Sequence, residues 1–271
     1  MDPVRLDPIE WSPRGMHIHE LFDLTGRVAI VTGGATGLGK QMAEALSEAG
    51  ARLVLCARNK ERCDLAAAEL QKTGAEILSL SCDVKKPESI QRVVNETMER
   101  FGRIDILINN AGTSWGAPIE EIKLEHWNKV MDTNMTGAFL FCQAVGKVML
   151  PQKRGKIVNI ASVAGLRGSP PEFQAIGYHA SKGALIAFTK DLACKWAAHN
   201  IHVNAIAPGW FPTNMSTAVI DRNQDALRER IPLHRFGSEN DLKGAAVFLA
   251  SAASDFVTGH ILVVDGGQTA W

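Results

Sequence analysis

The chain has 271 residues, with 29 basic side chains against 29 acidic ones and a hydrophobic fraction of 46%. A chain of this length buries roughly three quarters of its unfolded surface, so it needs no disulfide or metal staple. Zero net charge supplies neither the basic stripe that a nucleic acid calls for nor a polybasic segment for an anionic membrane surface.

Residues 1–24 carry Pro3, Pro8 and Pro13 and read as an irregular arm ahead of a catalytic domain over residues 25–271. The arm has no apolar core of signal-peptide type, and no stretch of the chain approaches the length of a membrane span. Short β-branched runs and amphipathic stretches then alternate. The strand-like runs are Val28–Val31, Leu53–Cys56, Ile77–Leu80, Ile104–Ile108, Ile157–Ile160, Val203–Ala207 and Ile261–Val264. Helical patterns lie between them at about 38–49, 59–73, 86–101, 124–150, 178–199 and 239–250. Continuously apolar strands alternating with helices specify an α/β fold: one doubly wound parallel sheet of about seven strands, covered by helices on both faces. Cys56, Cys63, Cys82, Cys142 and Cys194 show no CxxC spacing. They read as reduced intracellular thiols in a soluble, cytoplasmic protein, with no metal site.

The first strand runs into Thr32-Gly33-Gly34-Ala35-Thr36-Gly37-Leu38-Gly39, from which a helix opens. Glycines there allow a sharp turn and close approach of a pyrophosphate to the helix N-terminus. The spacing is a variant of the dinucleotide fingerprint, and no Gly-Lys-Ser/Thr follows, which excludes a P-loop. About 20 residues on, where an NAD site places an acid for the ribose hydroxyls, stand Ala57, Arg58 and Asn59. A guanidinium without an acid suits the extra phosphate of NADP, so NADP is expected over NAD. After the third strand, Asp83 is placed to meet the adenine edge and Val84 its ring, while Asp83 also suits a turn or cap. Asn109 and Asn110, before Ala111 and Gly112, end the fourth strand. Buried amides there require partners, either across strands or on a cofactor ribose.

Tyr178, the only tyrosine in the chain, lies four residues before Lys182. On a helix the two share one face. A neighbouring ammonium stabilises the phenolate, and a tyrosine so tuned can exchange a proton with a carbonyl oxygen as hydride moves. Ser162, just beyond the fifth strand, is placed to hydrogen-bond the same oxygen.

Together these ordered motifs, with Asn134 in Asn-Met-Thr-Gly, Pro208-Gly209 and Asp265-Gly266-Gly267, resemble the short-chain dehydrogenase/reductase family over nearly the whole chain from residue 25. The resemblance implies a Rossmann-type fold and a catalytic tetrad of Asn134, Ser162, Tyr178 and Lys182. It makes Tyr178 the acid–base and has Ser162 position the carbonyl. Lys182 lowers the phenol pKa and binds the nicotinamide ribose, and Asn134 holds a relay water. The cofactor then lies along Gly33, Thr36, Gly37, Leu38, Arg58, Asn59, Asp83, Val84, Asn110, Ala111 and Gly112. Beyond Tyr178 and Lys182 it reaches Pro208, Gly209 and Thr213.

The expected activity is NADP(H)-dependent reduction of a ketone to a secondary alcohol, and its reverse. The pattern is similar to 3-oxoacyl thioester reductases and also to gluconate 5-dehydrogenase-like members; a catalytically silent NADP-binding sensor is a further alternative. A Rossmann methyltransferase is disfavoured by Arg58, and family members are commonly homotetramers. The separation between Ser162 and Tyr178 is longer than usual in that family. Its surplus, Leu166–Phe173, is expected to wall the substrate pocket with Thr113, Ser114, Trp115, His179, Trp210 and the helix near 214–230. Arg167, Arg222, Arg228 and Arg230 are candidates for an anionic head, or a solvated mixed-charge surface.

Overall fold

The computed structural model of the chain describes residues 15–72 and 74–271. Most of the expected arm, residues 1–14, lies outside the described residues. The remainder is not wholly irregular, because Ile18–Phe22 form a short helix, α1.

Seven parallel strands form one sheet in the order β3-β2-β1-β4-β5-β6-β7. In chain order they are β1 (Val28–Thr32), β2 (Arg52–Ala57), β3 (Ile77–Ser81), β4 (Ile106–Asn109), β5 (Gly155–Ile160), β6 (Ile201–Pro208) and β7 (Ile261–Val264). The helices are α2 (Gly37–Glu48), α3 (Lys60–Gln71), α4 (Pro87–Phe101), α5 (Leu124–Met131), α6 (Gly137–Gln152), α7 (Ile176–Trp196), α8 (Thr217–Glu229) and α9 (Lys243–Ala250).

The continuous apolar runs have the cause expected of them. Alternate residues of each central strand face opposite layers, and both layers are dry. Val28, Ile30, Val54, Leu107, Ile157 and Val203 pack with α4, α6 and α7 on one side. Ala29, Val31, Leu53, Leu55, Ile108, Val158 and Ile206 pack with α2, α3 and α9 on the other. Each Val, Ile or Leu buried in these layers contributes about 1.5–3 kcal/mol relative to an exposed one. The chain winds outward from β1 to β3 and then from β4 to β7, so the strand order reverses between β1 and β4. The crevice beyond the carboxyl ends of these two strands is where open α/β sheets bind ligands.

Three of the departures from the expected boundaries have a visible cause. The fourth strand begins at Ile106 rather than Ile104, because the buried Asp105 carboxylate accepts from Val28 N (2.9 Å) and meets the Arg103 guanidinium at 2.5 and 2.7 Å. The last helix begins at Lys243 rather than 239, because Asp241 first folds back on Ser238 N (2.6 Å) and on Arg235. The helix expected over 124–150 is two helices, α5 and α6, joined by a π-helical turn, Asp132–Thr136. There Gly137 N bonds Asp132 O, five residues back, which inserts an extra residue and turns Asn134 inward.

Candidate active site

The phosphate loop is shaped by close backbone contacts. Gly33 and Gly37 adopt φ of +64° and +53°, which side-chain-bearing residues rarely take. A Cβ on Gly39 would stand 2.3 Å from Gly33 O, so α2 can lie against the turn only as glycine. Asn110 braces the loop from below: its Nδ2 donates to Thr32 O (3.0 Å) and Gly33 O (3.2 Å). Its main-chain N–H and that of Ala111 both donate to Thr32 Oγ1 at 2.9 Å. Thr32 opens the glycine motif in the sequence but is not among the expected cofactor-binding residues; its bracing role comes from partners beyond β4.

At the mouth of the loop Thr36 is exposed, and its hydroxyl makes no capping bond to α2. The first amides of this helix therefore face outward with no side-chain cap, an arrangement suited to an anion. Thr213 lies against the same turn, with its Cγ2 3.4 Å from where a Gly37 Cβ would be. It is held there by Ser216, whose Oγ accepts from Thr213 N at 3.0 Å. Pro208 ends β6, and Gly209 N donates to Val264 O (2.9 Å), so this segment passes over the sheet beside the loop.

The two flanking candidates at the β2 and β3 ends differ in character. Arg58 is exposed, with no carboxylate within ion-pair distance among the described residues. Asn59 caps α3, its Oδ1 accepting from Arg62 N at 2.9 Å. Asp83 accepts from Lys85 N (3.1 Å) and so serves its turn, while Val84 is buried and abuts Gly137. Asn109 donates to Asn159 Oδ1 (2.9 Å), and Asn159 donates to Thr189 Oγ1 (2.9 Å). This buried ladder joins β4, β5 and α7, so Asn109 is fully used inside the sheet.

The remaining candidates meet at the carboxyl ends of β4 and β5. Ser162 follows β5 and accepts from Ala164 N (3.1 Å), which opens a tight turn, Val163–Gly165. Gly165 packs directly on the backbone of Lys182, where a Cβ would stand at 2.6 Å. The turn thus docks Ser162 against α7 at the level of Tyr178 and Lys182. Lys182 is buried, donates from Nζ to Ile160 O (2.5 Å) and stands 5.6 Å from the Tyr178 ring centroid. Burial pulls its pKa down from the ordinary lysine value to about 8. Burial likewise pushes the half-buried Tyr178 phenol above its ordinary value, while the Ser162 hydroxyl beside it acts in the opposite direction.

Asn134 lies behind this trio. Its Oδ1 accepts from Thr113 N (2.8 Å), and its Nδ2 donates to Thr113 O and Ser181 Oγ, both at 2.9 Å. The side-chain amide is thereby committed to pinning the segment that follows β4 against α7. Ser181, which completes the clamp, was not singled out in the sequence, where it reads as an ordinary helix residue. Gly112 lies between Asn134 and Lys182: a Cβ there would be 3.4 Å from Asn134 Oδ1 and 3.8 Å from Lys182 Nζ. His179 turns away and bonds Ala175 O through Nδ1 at 3.0 Å.

The surplus loop after Ser162 is tied to everything around it. Ala117 N donates to Gln174 O (2.9 Å), Phe173 packs on Trp210 with centroids 5.6 Å apart, and Glu172 pairs with Arg230 at 3.0 Å. Trp115 stacks on His126 with centroids 3.7 Å apart. Among the four candidate arginines, Arg230 is therefore neutralised, and Arg228 lies over Phe236 at 5.4 Å.

A glycine turn at the point of strand reversal, with a serine, a tyrosine and a lysine converging two strands away, is the plan of a Rossmann-type oxidoreductase. A family model described as enoyl-(acyl carrier protein) reductase matches residues 33–269, and the chain belongs to the short-chain dehydrogenase/reductase family. It is 38% identical to a 3-oxoacyl-[acyl-carrier-protein] reductase of Synechocystis, over 90% of this chain and 98% of that protein. It is 40% identical to gluconate 5-dehydrogenase of Gluconobacter oxydans, over 92% and 97%. A crystal structure of a gluconate 5-dehydrogenase from Burkholderia cenocepacia in complex with NADP and tartrate superposes with a TM-score of 0.90 at 38% identity, covering 94% of this chain and all of that one.

Proposed function

We propose that the chain is an NADP(H)-dependent oxidoreductase that reduces a ketone to a secondary alcohol and catalyses the reverse. The observation that carries this reading is the convergence of Ser162, Tyr178 and Lys182 in one place, with the ammonium buried and the phenol half-buried above it. The residues present fit the cofactor. The glycine turn takes left-handed backbone at Gly33 and Gly37 and lets α2 pack on it through Gly39, the α2 amides are uncapped, and Arg58 carries a charge with no acid beside it among the described residues. The relatives agree: the Burkholderia structure carries NADP.

When bound, the reduced cofactor supplies hydride to the carbonyl carbon. Ser162 holds the carbonyl oxygen by a hydrogen bond, and Tyr178 gives that oxygen its proton. The raised phenol pKa keeps this proton in place at neutral pH, which is the state that reduction requires. In the oxidative direction the phenol must first lose the proton, so alcohol oxidation is expected to accelerate as the pH rises. Lys182, buried and still mostly protonated at pH 7, stabilises the phenolate as it forms and is placed to meet the cofactor ribose. Asn134 contributes rigidity through its side chain, whose amide is taken up by Thr113 and Ser181.

Tyr178→Phe is expected to lower turnover by about 10²–10⁴-fold, the range of a lost general acid, in assays of NADPH consumption on a panel of ketones. Near-wild-type turnover would overturn the mechanism, and a Phe variant that keeps full cellular activity would revive the silent-sensor alternative. Arg58→Ala is expected to shift preference from NADPH towards NADH, read as the ratio of kcat/KM for the two; an unchanged ratio would refute the cofactor assignment. We further infer a homotetramer acting in a reducing, cytoplasmic setting, on the support of five unpaired cysteines and exposed apolar residues on α6 and β7. No helix among the described residues is long and apolar enough to cross a membrane.

A further inference from the structure

The arginines that border the site differ in what offsets their charge. Arg230 has Glu172, and Arg235 has Asp241. Arg167, five residues beyond Ser162 in the surplus loop, has no carboxylate within ion-pair distance among the described residues. Its partner is a neutral amide. With the Gln268 side chain turned to satisfy both donors, its oxygen accepts from Arg167 Nη2 (2.7 Å) and from Trp210 Nε1 (3.3 Å). Gln268 is itself buried, at 4% exposure, although glutamine is rarely found so deep. It is held by the tight turn after β7, where Asp265 accepts from Gly267 N (2.9 Å) and Thr269 N (2.7 Å).

Three strand ends therefore converge on this guanidinium: Ser162 and the loop follow β5, Trp210 follows β6, and Gln268 follows β7. One edge of the fork is bonded to an acceptor that cancels none of its charge, and the other donors are free. A neutral, buried anchor orients a cation without consuming it, which is what a receptor for a planar anion needs.

We propose that Arg167 is a specificity residue that receives the carboxylate of an acid substrate, with Gln268 and Trp210 as its positioning residues. Resting on the reading of the site as a carbonyl-reducing centre, this makes the substrate a keto acid bound at two points. Ser162 and Tyr178 take the ketone oxygen, and Arg167 takes the carboxylate at the far end of a short carbon chain.

The test compares a charged substrate with a neutral counterpart of the same carbon chain: 5-ketogluconate and its methylamide, assayed by NADPH consumption. Arg167→Gln is expected to lower the acid-to-amide ratio of kcat/KM by about 10–100-fold, chiefly through KM, as for a lost charged hydrogen bond. Arg167→Lys is expected to recover part of it, and Gln268→Leu to lose part of it by freeing the guanidinium. A second arm needs no turnover: calorimetric titration of the NADPH-loaded protein, which has no oxidant for an alcohol, with gluconate and with glucitol. Gluconate is expected to bind more tightly, and Arg167→Gln to erase the difference. Tyr178→Phe is expected to retain that difference while losing turnover, so failure of the redox reading and failure of this proposal are told apart. Equal binding of gluconate and glucitol by the wild type would overturn the proposal, as would an unchanged ratio in Arg167→Gln. A third comparison pairs acetoacetyl-coenzyme A with the neutral N-acetylcysteamine thioester. If Arg167→Gln affected only the coenzyme A ester and left gluconate binding intact, the anion would be a phosphate and the carboxylate assignment would be wrong.

Discussion

Lys182 shows how function is held against stability at a single residue. Its ammonium is buried with only the Ile160 carbonyl as a polar partner, and its pKa falls from 10.5 to about 8. Between these values the unfolded chain binds more protons than the folded one, so this residue makes stability rise with pH from about 8 towards 10.5. Below pH 8 the full cost of burying the charge is present. Lys182→Met, close in length and uncharged, is expected to gain about 1–2 kcal/mol at pH 7 after the lost hydrogen bond is deducted, and to flatten that rise. Urea unfolding of the cofactor-free protein at pH 7 and at pH 10 measures both effects. The same variant is expected to lose its oxidoreductase activity, so stability and activity move in opposite directions.

At the scale of elements, the tightest constraint is the contact between the first turn of α2 and the loop that precedes it. Gly39→Ala would set a methyl group 2.3 Å from Gly33 O and 2.4 Å from Asn110 Nδ2. Neither is the loose end of a flexible side chain, so α2 must shift. The expected result is a loss of about 1–3 kcal/mol in stability and a weaker affinity for NADPH. Thermal unfolding with and without NADPH separates the two, because ligand stabilisation shrinks only if the loop itself is displaced. The strands were legible in the sequence to within a residue or two because the sheet is buried on both faces, leaving uninterrupted apolar runs such as Val28–Val31. The glycine turn and the Tyr178–Lys182 pair were legible because their chemistry fixes residue type and spacing. The π turn at Asp132–Thr136 was not, since the inserted residue changes the register of the helix without changing its composition. Nor were Thr32, Ser181 and Gln268, whose importance comes from partners on other strands and helices.

For the whole molecule, the sheet has two unequal edges. β7 pairs only with β6, and Val263 on it is 37% exposed, with Phe256 and Trp271 exposed near either end. An edge strand left in water is a template for association, and a second copy of the chain is the occupant expected here. On the opposite flank Phe139 of α6 is exposed and meets Phe188 of α7 edge to face at 6.3 Å. Light scattering is expected to give a mass near four chains. Val263→Lys, which leaves the buried face of β7 intact, is expected to reduce it to two. A wild-type protein that scatters as a single chain would rule out the tetramer.

The solitary phenol has a practical consequence. Because Tyr178 is the only tyrosine, any signal specific to that residue type comes from the proposed acid and from nowhere else. The near-ultraviolet band of the phenolate follows its proton directly, without a mutant library to assign it. A fluorinated tyrosine supplied during growth would label one position and give one resonance. The reporter is encoded by the composition of the chain itself.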